Sequence, residues 1–461
     1  MEEARIRGRQ RERMVTHTMI ARLLVAVLAV ALLSGPQCEA KDQVKRIDVL
    51  AEPINHLEIE NMTAIRFTGG LSLRSGSSRF GGWSGLATKD GGTNILAISD
   101  EGSWLKMSVQ YNSSTGAPVS VRDAELGPLH DKHGKSLRSK GKWKANSQKT
   151  WTDAESVVYL DKSDANSSLL VSFERHHRVW MYESPDAPAT TDDSLDFASE
   201  LLKGYCEYNG GAEAIEVLPP NSNSLVMFCE DPISDAENIF LGWVVPLHGK
   251  GFLKQKQLRL KLTDQFKPTD LAVLKNGDLI ILERMHNDTD TSFRLEMVPF
   301  NHIHAMSHEE AIVPACIAQG WKHPDNLVDN MEGLSVDYID GDQAIRLSLI
   351  SDDNFSSHQK TVLLVFEVDK VDELIRFGQE NSIFEAHSLS DQSSTSALSS
   401  NMLFIIVGAA FFLVGLSVGV GITLIVLRIK ARRSADARYE NIMEMTRGDF
   451  GDLMDDRHAG L

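Results

Sequence analysis

Cysteine is scarce. The chain of 461 residues holds four, and Cys38 falls in a stretch that reads as a cleaved leader. The remaining three, Cys206, Cys229 and Cys316, are too few for a disulfide framework. None stands in a CxxC or CxH spacing, which argues against a zinc site. Cys206 and Cys229 could staple one repeat; the alternative is three buried thiols. Basic charge is also in deficit, with 47 Lys and Arg against 64 Asp and Glu, a net charge of −17. That balance excludes a phosphate-tracking nucleic-acid surface and suits a protein that binds cations. Signature motifs are missing as well. The strand-rich region carries no GxSxG elbow, P-loop, HExxH or GxGxxG after a strand, so serine-hydrolase, kinase, zincin and Rossmann chemistries fall away.

Long apolar runs number only two. Leu23–Leu33 follows an Arg-rich start (Arg5, Arg7, Arg9, Arg11, Arg13, Arg22) and ends near Gly35-Pro36. It is too short to span a bilayer and reads as a signal peptide over residues 1–40. Met402–Leu427 is uncharged and long enough to cross ~30 Å of hydrocarbon. Arg428, Lys430, Arg432 and Arg433 follow it at once, which predicts a single-pass type I membrane protein with a cytoplasmic tail over 428–461. The ectodomain would then occupy 41–371, at the cell surface or in an endolysosomal lumen, with a Ser-rich stalk over 372–401. Asn61, Asn112, Asn166 and Asn287 begin N-x-S/T sequons and are the expected glycan sites. A fifth sequon at Asn354 sits inside a repeat motif and is expected to stay bare. Tyr439-Glu440-Asn441-Ile442 has the form that a sorting adaptor reads.

What the chain does have is a repeat. An opening (Trp83-Ser84-Gly85, Asp153-Ala154-Glu155, Gly211-Ala212-Glu213, Pro268-Thr269-Asp270, Asn330-Met331-Glu332) leads into an apolar strand. After a turn, a second apolar strand closes on an acid: Asp100, Glu174, Glu230, Glu283, Asp352. The unit recurs roughly every 60 residues, a spacing that fits the blades of a β-propeller. Third strands follow each closing acid, and Lys275-Asn276-Gly277-Asp278 between two apolar runs is a hairpin signal. The expected fold is all-β, a propeller of six blades, or five as the alternative, with one C-terminal transmembrane helix. Arg46–Leu73 would close the ring from the N-terminal side and supply a sixth blade. Leu126–Gln148, rich in lysine, is a rim loop or an electrostatic collar for an anionic ligand.

In a propeller the repeated acids gather at one channel mouth. Glu155, Glu174, Glu213, Glu230, Asp270, Glu283 and Asp353 are oxygen ligands suited to Ca²⁺. His177, Glu332 and Asp352 are candidate catalytic groups for proton transfer. Arg79, Arg175, Arg178, Arg284 and Lys360 flank the same loops and would hold an anionic small molecule or an ester substrate. The bland reading is that these acids and arginines pair between blades.

The motifs Phe80-Gly81-Gly82-Trp83-Ser84-Gly85-Leu86, Ile98-Ser99-Asp100-Glu101-Gly102, Phe173-Glu174-Arg175, Leu282-Glu283-Arg284, Asp329-Asn330-Met331-Glu332-Gly333-Leu334 and Ile350-Ser351-Asp352-Asp353-Asn354-Phe355 together resemble the phytase-like family, described by an esterase-like activity of phytase. The resemblance spans about Arg66 to Val368. It implies a β-propeller and a phosphoester or ester hydrolase. A membrane anchor departs from the secreted pattern and keeps a second reading open, a tethered binding or receptor propeller without catalysis.

Overall fold

The structure, a computed structural model, describes residues 44–386 apart from 61–64, 138–148, 220–222, 235–236, 248–254, 264, 288–289, 308–309 and 324–325. It has five blades. Strands are numbered in chain order. Blade 1 is β5 (Trp83–Lys89), β6 (Asn94–Ser99), β7 (Ser103–Tyr111) and β8 (Pro118–Pro128), edged by β1 (Lys45–Arg46). Blade 2 is β9 (Ala154–Tyr159), β10 (Leu169–Phe173) and β11 (Arg178–Tyr182). Blade 3 is β12 (Ala212–Val217), β13 (Ser224–Ser234), β14 (Ile239–Pro246) and β15 (Lys256–Lys261), extended by β19 (Glu310–Val313) and β24 (Ile383–Ala386). Blade 4 is β16 (Lys267–Val273), β17 (Leu279–His286), β18 (Thr291–Val298) and β20 (Ala315–Trp321), edged by β3 (Ile59–Glu60). Blade 5 is β21 (Asn330–Ile339), β22 (Ala344–Asp352), β23 (Thr361–Val368), β4 (Arg66–Ser75) and β2 (Val49–Ile54).

The N-terminal strands close the ring, as expected, but they do not make a sixth blade. β4 pairs antiparallel with β23, joining Thr361 to Leu73 and Leu364 to Gly70, and β2 pairs with β4. The other two short strands become edges of blades 1 and 4. Their backbone groups are satisfied by strands already present, so no new sheet is nucleated. Blade 2 departs from four strands: the helix α2 (Asp193–Tyr205), which follows α1 (Lys149–Thr152), packs beside β11. Asp192 caps α2 by accepting from Leu195 N at 2.9 Å, and Ser199 Oγ accepts from Val179 N at 3.0 Å. At the C-terminal side, β24 pairs with β19 in register from Glu310–Ala386 to Val313–Ile383. The fold therefore continues to Ala386, past the boundary expected at 371.

The apolar residues sort into five buried clusters, one per blade interface. Leu282, Phe293 and Leu295 meet Leu334 and Leu349 between blades 4 and 5. Leu71 and Leu363 meet Trp83 and Leu105 between blades 5 and 1. Trp104 meets Phe173 between blades 1 and 2, Leu170 meets Ile215 between 2 and 3, and Phe228 meets Leu271 between 3 and 4. Strands buried on both faces favour apolar residues at most positions, which is why β10 and β23 read as nearly continuous runs rather than alternations. Cys206 and Cys229 form a disulfide with Cα atoms 5.5 Å apart, and Cys316 is free.

Among the described residues no helix is long and apolar enough to cross a membrane. The expected signal peptide, Asn61, Met402–Leu427 and Tyr439 lie outside the described residues. Asn112, Asn166 and Asn287 are exposed in turns.

Candidate functional site

Every innermost strand carries an irregularity at the same end. Pairing slips between Trp83 and Gly85, between Ala212 and Ala214, between Pro268 and Asp270 and between Met331 and Gly333, and across β9–β10 between Val171 and Phe173. A bulge gives one strand an extra residue and re-aims its side chain. The extra residues are Ser84, Glu213, Thr269 and Glu332, with Glu155 at the matching place in blade 2. The pairing therefore places Thr269, not Asp270, in the opening tier of blade 4.

The same offset moves the closing tier. Glu283 pairs with Pro268 just as Cys229 pairs with Ala212 and Ser351 with Met331. The residue matching Asp100, Glu174, Glu230 and Asp352 is consequently Arg284. Four acids and one guanidinium make this ring. Arg284 donates to Glu332 Oε1 at 2.7 Å, Asn330 Oδ1 at 2.9 Å and Glu230 Oε1 at 2.9 Å, tying blades 5 and 3 to blade 4. Burial alone would lower its pKa, but Glu332, Glu230, Glu213 and Asp352 together raise it.

Asp270 and Glu283, both expected as metal ligands at the mouth, lie elsewhere. Asp270 accepts from Ser156 Oγ of blade 2 at 2.9 Å and from Leu334 N of blade 5 at 2.7 Å. A blade 4 carboxylate that reaches blade 2 crosses the central axis. It can do so because the matching positions are Gly85, Ser156, Ala214 and Gly333. A Cβ at Gly85 would sit 2.8 Å from Ser156 Cα, and one at Gly333 would sit 2.8 Å from Leu86 Cβ. Asp270 is thus the plug of a channel too narrow for five side chains. At the far end Lys162 of blade 2 donates to Ser335 Oγ and Val336 O of blade 5, both at 3.0 Å. Glu283 is fully buried within blade 4 against Glu296, and burial and that neighbour raise its pKa well above the usual range.

Above the plug the acids crowd together. One carboxylate oxygen from each of Glu174, Glu213 and Glu230 lies within 4.8 Å of the others, and the same holds for Asp153, Glu155 and Glu174. Glu174 is 4% exposed and its Oε2 has no hydrogen-bond partner. Burial, then Asp153, push its pKa up to about 9, and burial with Asp153, Glu174 and Glu213 raises Glu155. Burial and Glu230 raise Glu213. Burial also lifts Glu332 to about 7, against the pull of Arg284, and burial with Glu332 and Asp100 raises Asp352. Buried carboxylates at such separations cannot all ionise without a cation.

The expected substrate-holding cations are mostly committed. Arg175 Nη1 lies 2.5 Å from Asp153 Oδ2, and its Nη2 donates to Asn209 Oδ1 at 2.6 Å. Arg178 is buried, donates to His176 O at 2.7 Å and Trp151 O at 2.5 Å, and stacks on Phe173 at 3.7 Å. Burial lowers it to about 9. Arg79 is half-buried before β5, and Lys360 is exposed, its backbone N–H donating to Asp329 Oδ2 at 3.0 Å. Asp353 serves the backbone: it accepts from Gly82 N and Phe355 N, each at 3.0 Å, and from Thr361 Oγ1 at 3.1 Å. His177 is buried with Nε2 2.9 Å from Glu207 O, and burial lowers its pKa. Its Nε2 is thereby spent on the segment before β12. Sequence reasoning missed Asp153 and Lys267 as members of the cluster, and gave Arg284 a substrate-holding role rather than its place in the closing tier. Counting back from the apolar residues Leu271 and Ile215, instead of from the nearest acid, gives the right alignment.

Residues 78–355 match the family model described as phytase-like, esterase-like activity of phytase. No curated protein matches. Among solved structures, the Pan2 WD40 domain of Neurospora crassa is 8% identical with a TM-score of 0.31, the match covering 62% of this chain and 89% of that one. The tail fibre of Staphylococcus aureus phage P68 is 10% identical with a TM-score of 0.32, covering 70% of this chain and 55% of that one. Five blades bearing the repeated acids, and a family model spanning more than half of its length, place this chain in the phytase-like family.

Proposed function

We propose that this protein is a hydrolase of phosphoester or ester substrates that works with a divalent cation at the acidic mouth. The observation that carries the reading is the Glu174–Glu213–Glu230 group with Asp153 and Glu155 beside it, one of whose buried oxygens lacks a donor. An all-oxygen, multi-carboxylate donor set fits Ca²⁺. When bound, such an ion polarises the oxygen of the scissile group and lowers the pKa of water beside it. The chain's own part is positioning and proton transfer. Glu332, with a pKa near 7, is suited to passing a proton to the leaving oxygen. Arg284 and Asn330 fix its Oε1. Asp352, held by Asn354 N at 2.6 Å, is the second proton carrier. We propose also that Met402–Leu427 anchors the ring as a single-pass type I protein at the cell surface or in an endolysosomal membrane, with Tyr439 offered to a sorting adaptor.

Arg284, which bridges acids of blades 3 and 5, favours a second reading in which the mouth is structural and the ring is a tethered binding module. Turnover of a generic phosphomonoester and a generic aryl ester by the full-length chain, with Ca²⁺ or with chelator, separates the two. Loss of turnover in chelator and in Glu332→Gln, with the fold intact, supports the hydrolase. No turnover by a folded, Ca²⁺-stabilised chain removes it.

A further inference from the structure

The mouth has one neighbour that the acids do not explain. Trp151, at the end of α1 and two residues before Asp153, is 48% exposed. It is nonetheless held in place. Its ring packs at a tilt against His176 with centroids 3.9 Å apart, and its carbonyl accepts from the buried Arg178. Arg178 is fixed in turn over Phe173 and, at 4.3 Å, over Trp180. Thr152, the next residue, donates to Asp100 O at 3.2 Å and so fastens the segment to blade 1. An immobilised, exposed indole is a ready platform, because the entropy of ordering it is already met by the fold. The charge of the mouth beside it is mostly negative; Arg178, 5.7 Å from the indole ring, is buried and spent on two backbone carbonyls. Arg175, Lys267 and Arg284 are each paired with carboxylates of the mouth. A polyphosphate entering here would meet more like charge than opposite charge.

We propose that this mouth takes an ester of low charge whose flat apolar part, an aryl group or a pyranose ring, lies on Trp151, and that it rejects polyphosphates. The proposal deepens the hydrolase reading and rests on placing the site at this mouth. It assigns Trp151 as the specificity-determining residue.

The test is a binding titration of the full-length chain in Ca²⁺ with 4-nitrophenol, methyl β-D-glucopyranoside and inositol hexakisphosphate. At least one flat probe is expected to bind, and which one does identifies the flat group. Trp151→Ala is expected to weaken that binding roughly tenfold and Trp151→Phe to keep most of it, while the polyphosphate does not compete. Tighter binding of inositol hexakisphosphate than of either flat probe overturns the proposal. So does binding of neither flat probe, or a Trp151→Ala variant that binds like the parent. Trp151-dependent binding in a chain that turns over no ester leaves this inference standing and removes the hydrolase. Ester turnover whose KM ignores Trp151→Ala does the reverse.

Discussion

Replacing Arg284 by Met tests whether the mouth is a balance of charges. The guanidinium is buried, with a side chain 16% exposed, and donates to Glu230, Glu332 and Asn330. Removing one partner of a buried pair leaves an uncompensated charge and costs about 3–5 kcal/mol. Thermal unfolding of roughly 310 residues has an entropy of roughly 0.65 kcal/mol/K, so the expected fall in Tm is about 5–8 °C. The loss should depend on pH. Glu332 already has a raised pKa, and without Arg284 it takes up a proton more readily. The folded variant then binds protons that the unfolded chain, with ordinary carboxyl pKa values, does not hold above about pH 5. Its stability is therefore greatest in acid and falls as pH rises towards 8. Thermal melts in chelator at pH 5 and pH 8 should show most of the difference from the parent at pH 8. A loss of equal size at both pH values, or below about 1 kcal/mol at pH 8, would refute the charge-balance account. Lys267→Met is the comparison: its side chain is 39% exposed, so the change should cost well under half as much.

Three further outcomes follow from single positions. Cys206→Ala opens a disulfide that closes a separation of 23 residues and should cost about 3 kcal/mol, read by denaturant unfolding with and without reductant. Glu216, raised to about 7 by burial against the pull of Lys162, loses its contribution as pH rises from its unfolded pKa through 7; Glu216→Gln should flatten that part of the stability–pH curve. Gly82 has φ +67°, and a Cβ there would run into the Asp100 carboxylate and the Phe355 ring, so Gly82→Ala should cost about 1–3 kcal/mol in chemical denaturation and weaken Ca²⁺ binding.

The fold was legible in the sequence wherever apolar runs alternated with turns. The five openings lie on or one residue before the first strand of a blade, the five closings on or one residue past the second, and the third strands fall where the apolar runs put them. Blade number was not legible. Whether Val49–Ile54 and Arg66–Ser75 form a sheet of their own or complete another depends on which edge is free. That edge, β23, lies far away in the chain. The site was legible as a set of acids but not in its register. Asp270 and Glu283 are acids beside the expected positions, and only backbone pairing shows that Thr269 and Arg284 hold the places themselves. A bulge hides this offset, because it shifts facing without changing composition. Trp151 was invisible for another reason: its standing comes from His176 and Arg178, which reach it only in the folded ring.

Closure of the ring by β4 also sets an order of events on the ribosome. β4 is made early, and its partner β23 emerges almost three hundred residues later. At about 5–20 residues per second the wait is roughly 15–60 s. During that interval β4 has only β2 beside it and the outer face of blade 1 has no neighbour, since Leu363 completes its buried cluster with Leu71 and Leu73 only when blade 5 arrives. The nascent ring is an open arc with a sticky hairpin, β2 and β4, at its start, and a chaperone would have most to do there, before residue 368 is exposed.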